Sequence, residues 1–142
     1  MPMRQKIVFY RGFWWFHDPG RNLRIKLDPM FQQCGWNVGM LCKSLGIGKR
    51  TFARVIEESL GITSKLWMRQ IRIVTARHLL REGEKVKTLA LRLGFANDSN
   101  FTRDFKDLMG VSPSEYTKSE RARAFLQIFI VESFLSLFDN LF

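Results

Sequence analysis

Two short clusters of side chains in this sequence are suited to reading a polyanion. The first is Lys49, Arg50, Thr51 and Arg54, and the second is Asp98, Ser99, Asn100, Thr102, Arg103 and Lys106. Arginine offers a planar fork of donors that pairs with the O6 and N7 of guanine, asparagine does the same for adenine, and serine and threonine hydroxyls suit either base. Lysine is a point charge better matched to phosphate, a contact that positions a protein without reading sequence. Arg50 and Arg54 are one helical turn apart, and Ser99, Thr102, Arg103 and Lys106 follow the i, i+3, i+4, i+7 rhythm of one helix face. One such stripe alone is usually a solvated surface. Two at equivalent positions in a repeat point to a reading surface.

Other chemistries find less support. His17 and His78 lie far apart and have no Cys or acidic partners at metal-ligand spacing. Cys42 sits on an apolar helical stripe and is expected in the core rather than at a reactive site. The run Gly46-Ile47-Gly48-Lys49-Arg50 lacks the spacing of a phosphate-cradling loop and has no strand before it. The expectation is a protein that is not an enzyme and takes no metal or cofactor. Its partner is expected to be a polyanion, of which nucleic acid is the commonest, because 23 Lys and Arg against 13 Asp and Glu give a formal charge of +10 over 142 residues; the two stripes, set on helices of a repeat, make double-stranded DNA the expected one. The excess lies in the front and middle of the chain, since residues 122–142 hold one base and two acids. Two cysteines make no disulfide framework. With no signal-peptide pattern and no bilayer-length apolar run, a cytoplasmic protein with reduced thiols is expected.

The elements that must carry the two clusters are visible as a repeat. Leu45-Gly46-Ile47 aligns with Leu93-Gly94-Phe95, and Phe52, Arg54, Ile56 and Gly61 align with Phe101, Arg103, Phe105 and Gly110. A helix-periodic apolar segment precedes each copy: Val38, Leu41, Cys42, Leu45 in one and Val86, Leu89, Ala90, Leu93 in the other. Each copy therefore reads as helix, glycine turn, helix. Phe52, Ile56, Ser59 and Leu60 are expected to point inward in the first copy, and Phe101, Phe105 and Leu108 in the second. Between the copies, Ser64 is an expected N-cap and Gly83 an expected stop. Leu66, Trp67, Ile71, Val74 and Leu79 are the expected apolar side of the connecting helix, with His78 partly buried on it. About nineteen residues at roughly 1.5 Å each would span roughly 28 Å, comparable to the ~34 Å repeat of the major groove.

From about Trp36 to Thr117 the sequence resembles the AraC/XylS-type transcription regulators. The similarity is carried by Gly94-Phe95, Phe101, Arg103, Phe105-Lys106, Gly110 and Ser112-Pro113-Ser114-Glu115-Tyr116, and by Arg72, Ala76 and Leu79-Leu80 in the connecting helix. The resemblance implies a bipartite all-helical DNA-binding domain acting at promoters, with RNA polymerase as a further partner. Gly48, Ile56, Glu57 and Cys42 depart from the family's usual Ser, aromatic, Lys and Ala. The first reading helix is consequently less cationic, and the second copy is expected to hold phosphate more firmly. Glu57 is expected to pair with Arg50 or Arg54 within its own helix, the alternative being acceptance from a cytosine amino group.

The expected fold class is all-α: two helix-turn-helix subdomains joined by a long connecting helix, with a short N-terminal hairpin and an amphipathic C-terminal helix. The expected divisions are 1–35, a short segment; 36–121, the bipartite domain (36–62, 63–83, 84–111 and 112–121); and 122–142, an apolar tail. In the first segment Leu23, Ile25 and Leu27 alternate with charges after an Asp18-Pro19-Gly20 turn. It is too short for the ligand-holding domain of the family's longer members. Its aromatics either pack on the helices, or it is a remnant, or Trp14 and Trp15 stack on nucleic acid beside Arg11. Ser112-Pro113-Ser114-Glu115 is a capping box. From Ile130 onward the tail is amphipathic and needs a cover: the N-terminal aromatics, a second copy in a homodimer, or a membrane. The tail's charge and lack of Lys argue against the last. The function read from all this is a sequence-specific transcription regulator placing two helices in successive major grooves. The competing reading is a protein-interaction module, or truncated paralogue, working through its tail.

Overall fold

The computed structural model describes residues 4–139, with side chains through Ile128 and at Ile130. Strands β1 (Lys6–Tyr10), β2 (Phe13–Asp18) and β3 (Leu23–Lys26) form an antiparallel meander. The expected Asp18-Pro19-Gly20 turn joins β2 to β3 through a 3-10 turn, and a strand in front makes the hairpin a three-stranded sheet. Ile7, Phe16 and Ile25 oppose one another across the three strands and face the helices. That alternation is the period-two signature of a sheet buried on one side.

A short helix, α1 (Asp28–Gln33), was not anticipated. Six residues are too few to show a helical period, but Pro29 in its first turn and the buried Phe31 account for it. Phe31 stacks on Trp36 with ring centroids 5.3 Å apart. Helices α2 (Val38–Leu45), α3 (Lys49–Leu60), α4 (Ser64–Arg81), α5 (Val86–Arg92), α6 (Asp98–Met109) and α7 (Pro113–Asp139) follow. The N-terminal segment is continuous with the helical core. Trp14 meets Trp67 edge-on at 5.2 Å, Phe16 is fully buried, and the Ile7 amide donates to Ser59 Oγ at 3.0 Å.

Helix α4 is the central strut, in contact with α3, α6 and α7. It buries Trp67, Met68, Ile71, Ile73, Ala76 and Leu80 on more than one side, so a single apolar stripe does not describe it. Val74, expected inside, is exposed, and His78, expected partly buried, is exposed and paired with Glu82. The cap is Thr63 rather than Ser64: its hydroxyl accepts from the Leu66 amide at 3.2 Å. Gly83 does follow the helix end, with φ +96°. The capping box at the start of α7 is present in both directions, Ser112 N–H to Glu115 Oε2 at 3.0 Å and Glu115 N–H to Ser112 Oγ at 3.2 Å. Backbone α7 continues to Asp139, and Phe125, Leu126, Ile128 and Ile130 are exposed. The amphipathic face expected beyond Ile130 lies outside the described side chains. Among the described residues no helix is long and apolar enough to cross a membrane.

Candidate nucleic-acid interface

The two copies of the repeat fold alike. After α2, Gly46 takes φ +68°, with its amide on the Lys43 carbonyl at 3.1 Å and the Ile47 amide on Cys42 at 3.1 Å. After α5, Gly94 takes φ +73°, with its amide on Leu91 at 3.1 Å and the Phe95 amide on Ala90 at 2.9 Å. This paired closure turns a chain sharply out of a helix through a left-handed residue, which glycine adopts without a Cβ clash. Each turn is pinned from below by its apolar set, Leu41, Cys42 and Leu45 in one and Leu89, Ala90 and Leu93 in the other, all buried. Burial also raises the thiol pKa of Cys42 above its ordinary value, with Lys49 opposing the shift more weakly, as suits a packing residue.

The turns deliver α3 and α6. Phe52, Val55 and Ile56 bury one side of α3, and Phe101 and Phe105 one side of α6. Lys49, Arg50 and Arg54 are exposed on α3, with Thr51 half-buried. On α6, Asp98, Ser99, Arg103 and Lys106 are exposed, with Asn100 and Thr102 half-buried. All ten proposed contact residues therefore lie on these two helices, and none is fully buried. One inward expectation fails. Leu108 is exposed and Met109 packs against the core instead. The inner face of α6 runs Phe101, Phe105, Met109 in steps of four, which follows the ridge that meets α4 and α7.

The helix starts differ. On α6, Asn97 Oδ1 accepts from the Asn100 amide at 2.8 Å. On α3 the cap is Gly48, which has no side chain to offer. The first amides of α3 thus keep their donors for an outside acceptor, beside Lys49 and Arg50.

Ion pairing decides which charges remain free. Helix α6 carries three acids, which would oppose a polyanion. Two of them are drawn sideways: Arg69 of α4 reaches Asp107 at 2.8 Å and Asp104 at 3.2 Å. On α3, Arg54 pairs with Glu58 at 3.6 Å, and Arg4 approaches the same carboxylate at 3.9 Å. The partner expected for the arginines was Glu57. Glu57 makes no ion pair among the described residues; Arg54 instead meets Glu58, at the i, i+4 step.

Sequence reasoning passed over Arg21, and met Trp36 and Arg72 only through the family resemblance, without seeing that these residues brace the turns. Arg21, held by Asp18, donates from Nη2 to the Leu45 carbonyl at 2.8 Å, directly at the first turn. The second turn rests on the backbone of Gly35 and Trp36: a Cβ on Gly94 would come within 2.8 Å of the Gly35 carbonyl oxygen. Arg72 closes the same joint, donating to the Trp36 carbonyl at 2.7 Å with its guanidinium 5.5 Å from the Phe95 ring. Burial lowers the Arg72 pKa, opposed by Asp104. The repeated Gly-aromatic pattern hinted at tight turns, but no local signal names their distant partners.

A family model described as a helix-turn-helix domain matches residues 41–119. The transcriptional activator RhaS of Escherichia fergusonii is 34% identical over 96 residues, which are 67% of this chain and 34% of that protein. The virulence regulon transcriptional activator VirF of Yersinia enterocolitica is 29% identical over 98 residues, 68% of this chain and 36% of its own. The chain thus spans about a third of the length of the curated relatives it matches. The C-terminal domain of AraT, a response regulator from Geobacillus stearothermophilus, superposes with a TM-score of 0.56 at 27% identity, covering 64% of this chain and 76% of that one. The DNA-binding domain of AdpA, a global transcriptional factor solved with a target DNA, gives 0.55 at 28% identity, covering 61% and 79%. On the matched repeat and the two equivalent turns, the chain belongs to the helix-turn-helix family of AraC-type DNA-binding domains.

Proposed function

We propose that this chain is a sequence-specific transcription regulator that binds double-stranded DNA by setting α3 and α6 into successive major grooves, acting in the cytoplasm. The observation that carries the reading is the pair of equivalent left-handed glycine turns, each presenting a helix with an apolar inner side and a polar outer side. Arg50, Thr51 and Arg54, with Asp98, Ser99, Asn100, Thr102 and Arg103, take base-edge or near-base positions. Lys49 and Lys106 take phosphates. The working unit is residues 36–121, with 36–62 and 84–111 as the two readers, 63–83 as the strut and 112–121 as the start of the last helix.

The strut supports this geometry by its length. Helix α4 has 18 residues, about 27 Å at ~1.5 Å per residue, of the same order as the ~34 Å groove repeat. Two further partners belong to the proposal: RNA polymerase, as the family resemblance implies, and a second copy paired through α7, whose Phe125, Leu126, Ile128 and Ile130 are exposed among the described residues.

Selection of bound duplexes from a random pool, followed by footprinting, tests the core of the reading. Two protected major-groove windows about one helical turn apart are expected. A single window, or no enriched sequence, overturns it.

A further inference from the structure

The meander has a second face. Strand register places Lys6, His17 and Arg24 in one row across the sheet, Val8, Trp15 and Lys26 in the next, and Tyr10 opposite Phe13 in a third. Of the alternate positions on the same strands, Ile7 and Phe16 are in the core and Trp14 and Ile25 pack against it, whereas Phe9 and Leu23 stay exposed. This outer face therefore carries cations and aromatics and no carboxylate, with Arg11 added at the β1–β2 turn. An ordinary solvated sheet face mixes charges of both signs.

The cations sit on the rings. The Arg24 guanidinium lies 5.2 Å from the Trp15 ring and 6.0 Å from Tyr10, Arg11 lies 5.3 Å from Tyr10, and Lys26 Nζ is 3.1 Å from the Phe13 centroid. Tyr10 and Phe13 remain 48% and 40% exposed. His17 Nε2 is buried with no hydrogen-bond partner. Burial first, then the charges of Arg24 and Lys6, keep the His17 imidazole below its ordinary pKa, as expected where the local potential is positive. Cross-strand packing alone would explain aromatic neighbours. It does not explain three cations, Arg11, Arg24 and Lys26, gathered on them with no acid to answer.

We propose that this outer face of the meander binds single-stranded nucleic acid, Tyr10, Phe13 and Trp15 stacking on bases while Arg11, Arg24 and Lys26 meet phosphates, as a site separate from α3 and α6. Open antiparallel sheets bearing aromatics hold two or three splayed bases in this manner. A base displaces a cation from the ring and the cation moves to the adjoining phosphate, so each nucleotide answers both groups. Duplex bases are stacked on one another and cannot offer their faces, so the occupant is a single strand rather than a flank of the promoter.

The test uses the full chain and a labelled twelve-nucleotide oligo(dT), read by anisotropy and by tryptophan emission. Binding with quenched emission is expected. The double variant Arg54→Ala/Arg103→Ala should keep oligo(dT) affinity within about twofold, while Tyr10→Ser/Arg24→Ser should lose roughly tenfold or more, the scale of one stacked base, and keep its duplex affinity. Phe13→Leu preserves apolar cover and removes the stacking ring. It should lose about fivefold with an unchanged melting temperature, so a misfolded double variant does not decide the matter. Loss of oligo(dT) binding in Arg54→Ala/Arg103→Ala, unquenched emission, or equal competition by inorganic polyphosphate at matched charge each overturns the proposal. Failure here leaves the duplex reading by α3 and α6 standing, because that reading is measured with duplex alone.

Discussion

Replacing Gly94 by alanine isolates the joint between the two halves of the domain. At φ +73° an L-residue costs about 1–2 kcal/mol. The new Cβ would also lie 2.8 Å from the Gly35 carbonyl oxygen and 3.0 Å from Trp36 Cβ. Those atoms belong to backbone and to a stem fixed by stacking on Phe31, so they cannot swing aside. Overpacking of this kind costs about 1–3 kcal/mol, giving a total of roughly 2–5 kcal/mol. Gly110→Ala is the matched control: φ is +77° and nothing lies within 4 Å of the added carbon. It should lose only the conformational part, about 1–2 kcal/mol. Urea unfolding followed by circular dichroism measures both. Gly94→Ala should also weaken a duplex carrying both half-sites more than one carrying a single half-site. Equal losses of stability in the two variants would refute the argument that the second turn is seated on Gly35 and Trp36.

Arg103→Ala should cost about 1–3 kcal/mol at one base position, whereas Lys106→Ala should weaken all duplexes alike and reduce the salt slope by about one; identical effects on matched and mismatched sites would reverse those roles. Arg69→Ala should weaken duplex binding at low salt without touching DNA, because Asp107 loses the cation that draws it aside and Asp104 keeps only the longer 3.7 Å pair with Arg103; unchanged affinity would show that the two acids never face the duplex. Asp18 is held below the ordinary carboxylate pKa, by the Gln5 hydrogen bond first and by Arg21 next, against the opposing effect of burial. Its stabilisation is therefore present above the unfolded pKa of about 3.9 and is lost as pH falls through the lower folded value. Wild type should lose more stability than Asp18→Asn between pH 5 and 3 on that basis, in thermal melts across the range. Phe125→Glu/Ile128→Glu should lower the sedimentation mass from dimer to monomer while keeping helical ellipticity; equal masses would remove α7 as a pairing surface.

What the chain revealed in advance was whatever its local spacing encodes. The repeat was legible because Gly46 and Gly94 stand at the same offset from their apolar sets, and the Ser112–Glu115 box because both partners lie within one turn. The ten proposed contact residues fall on two helices because a 3.6-residue period separates inside from outside. Errors came where a long-range neighbour sets the outcome. Leu108 and Met109 are both compatible with the inner side of α6, and the direction of α4 and α7 decides between them. Val74 and His78 were misplaced because α4 is packed on several sides and its sequence shows no single stripe. The bracing roles of Arg21 and Trp36 were not legible, since Leu45 and Arg72, the groups they meet at the turns, lie 24 and 36 residues away.

The bracing of both turns has a mechanical consequence. A strut alone would let the reading helices twist about it, but Arg21 at Leu45, Gly94 on Gly35 and Arg72 at Trp36 add cross-members, so the frame is triangulated. A rigid gauge cannot stretch to suit its workpiece. Any misfit between helix separation and groove repeat must then be absorbed by curvature of the duplex, at an elastic cost of about 1–6 kcal/mol for bends of 40–90°, and sequences that curve easily become better targets even at positions no side chain touches.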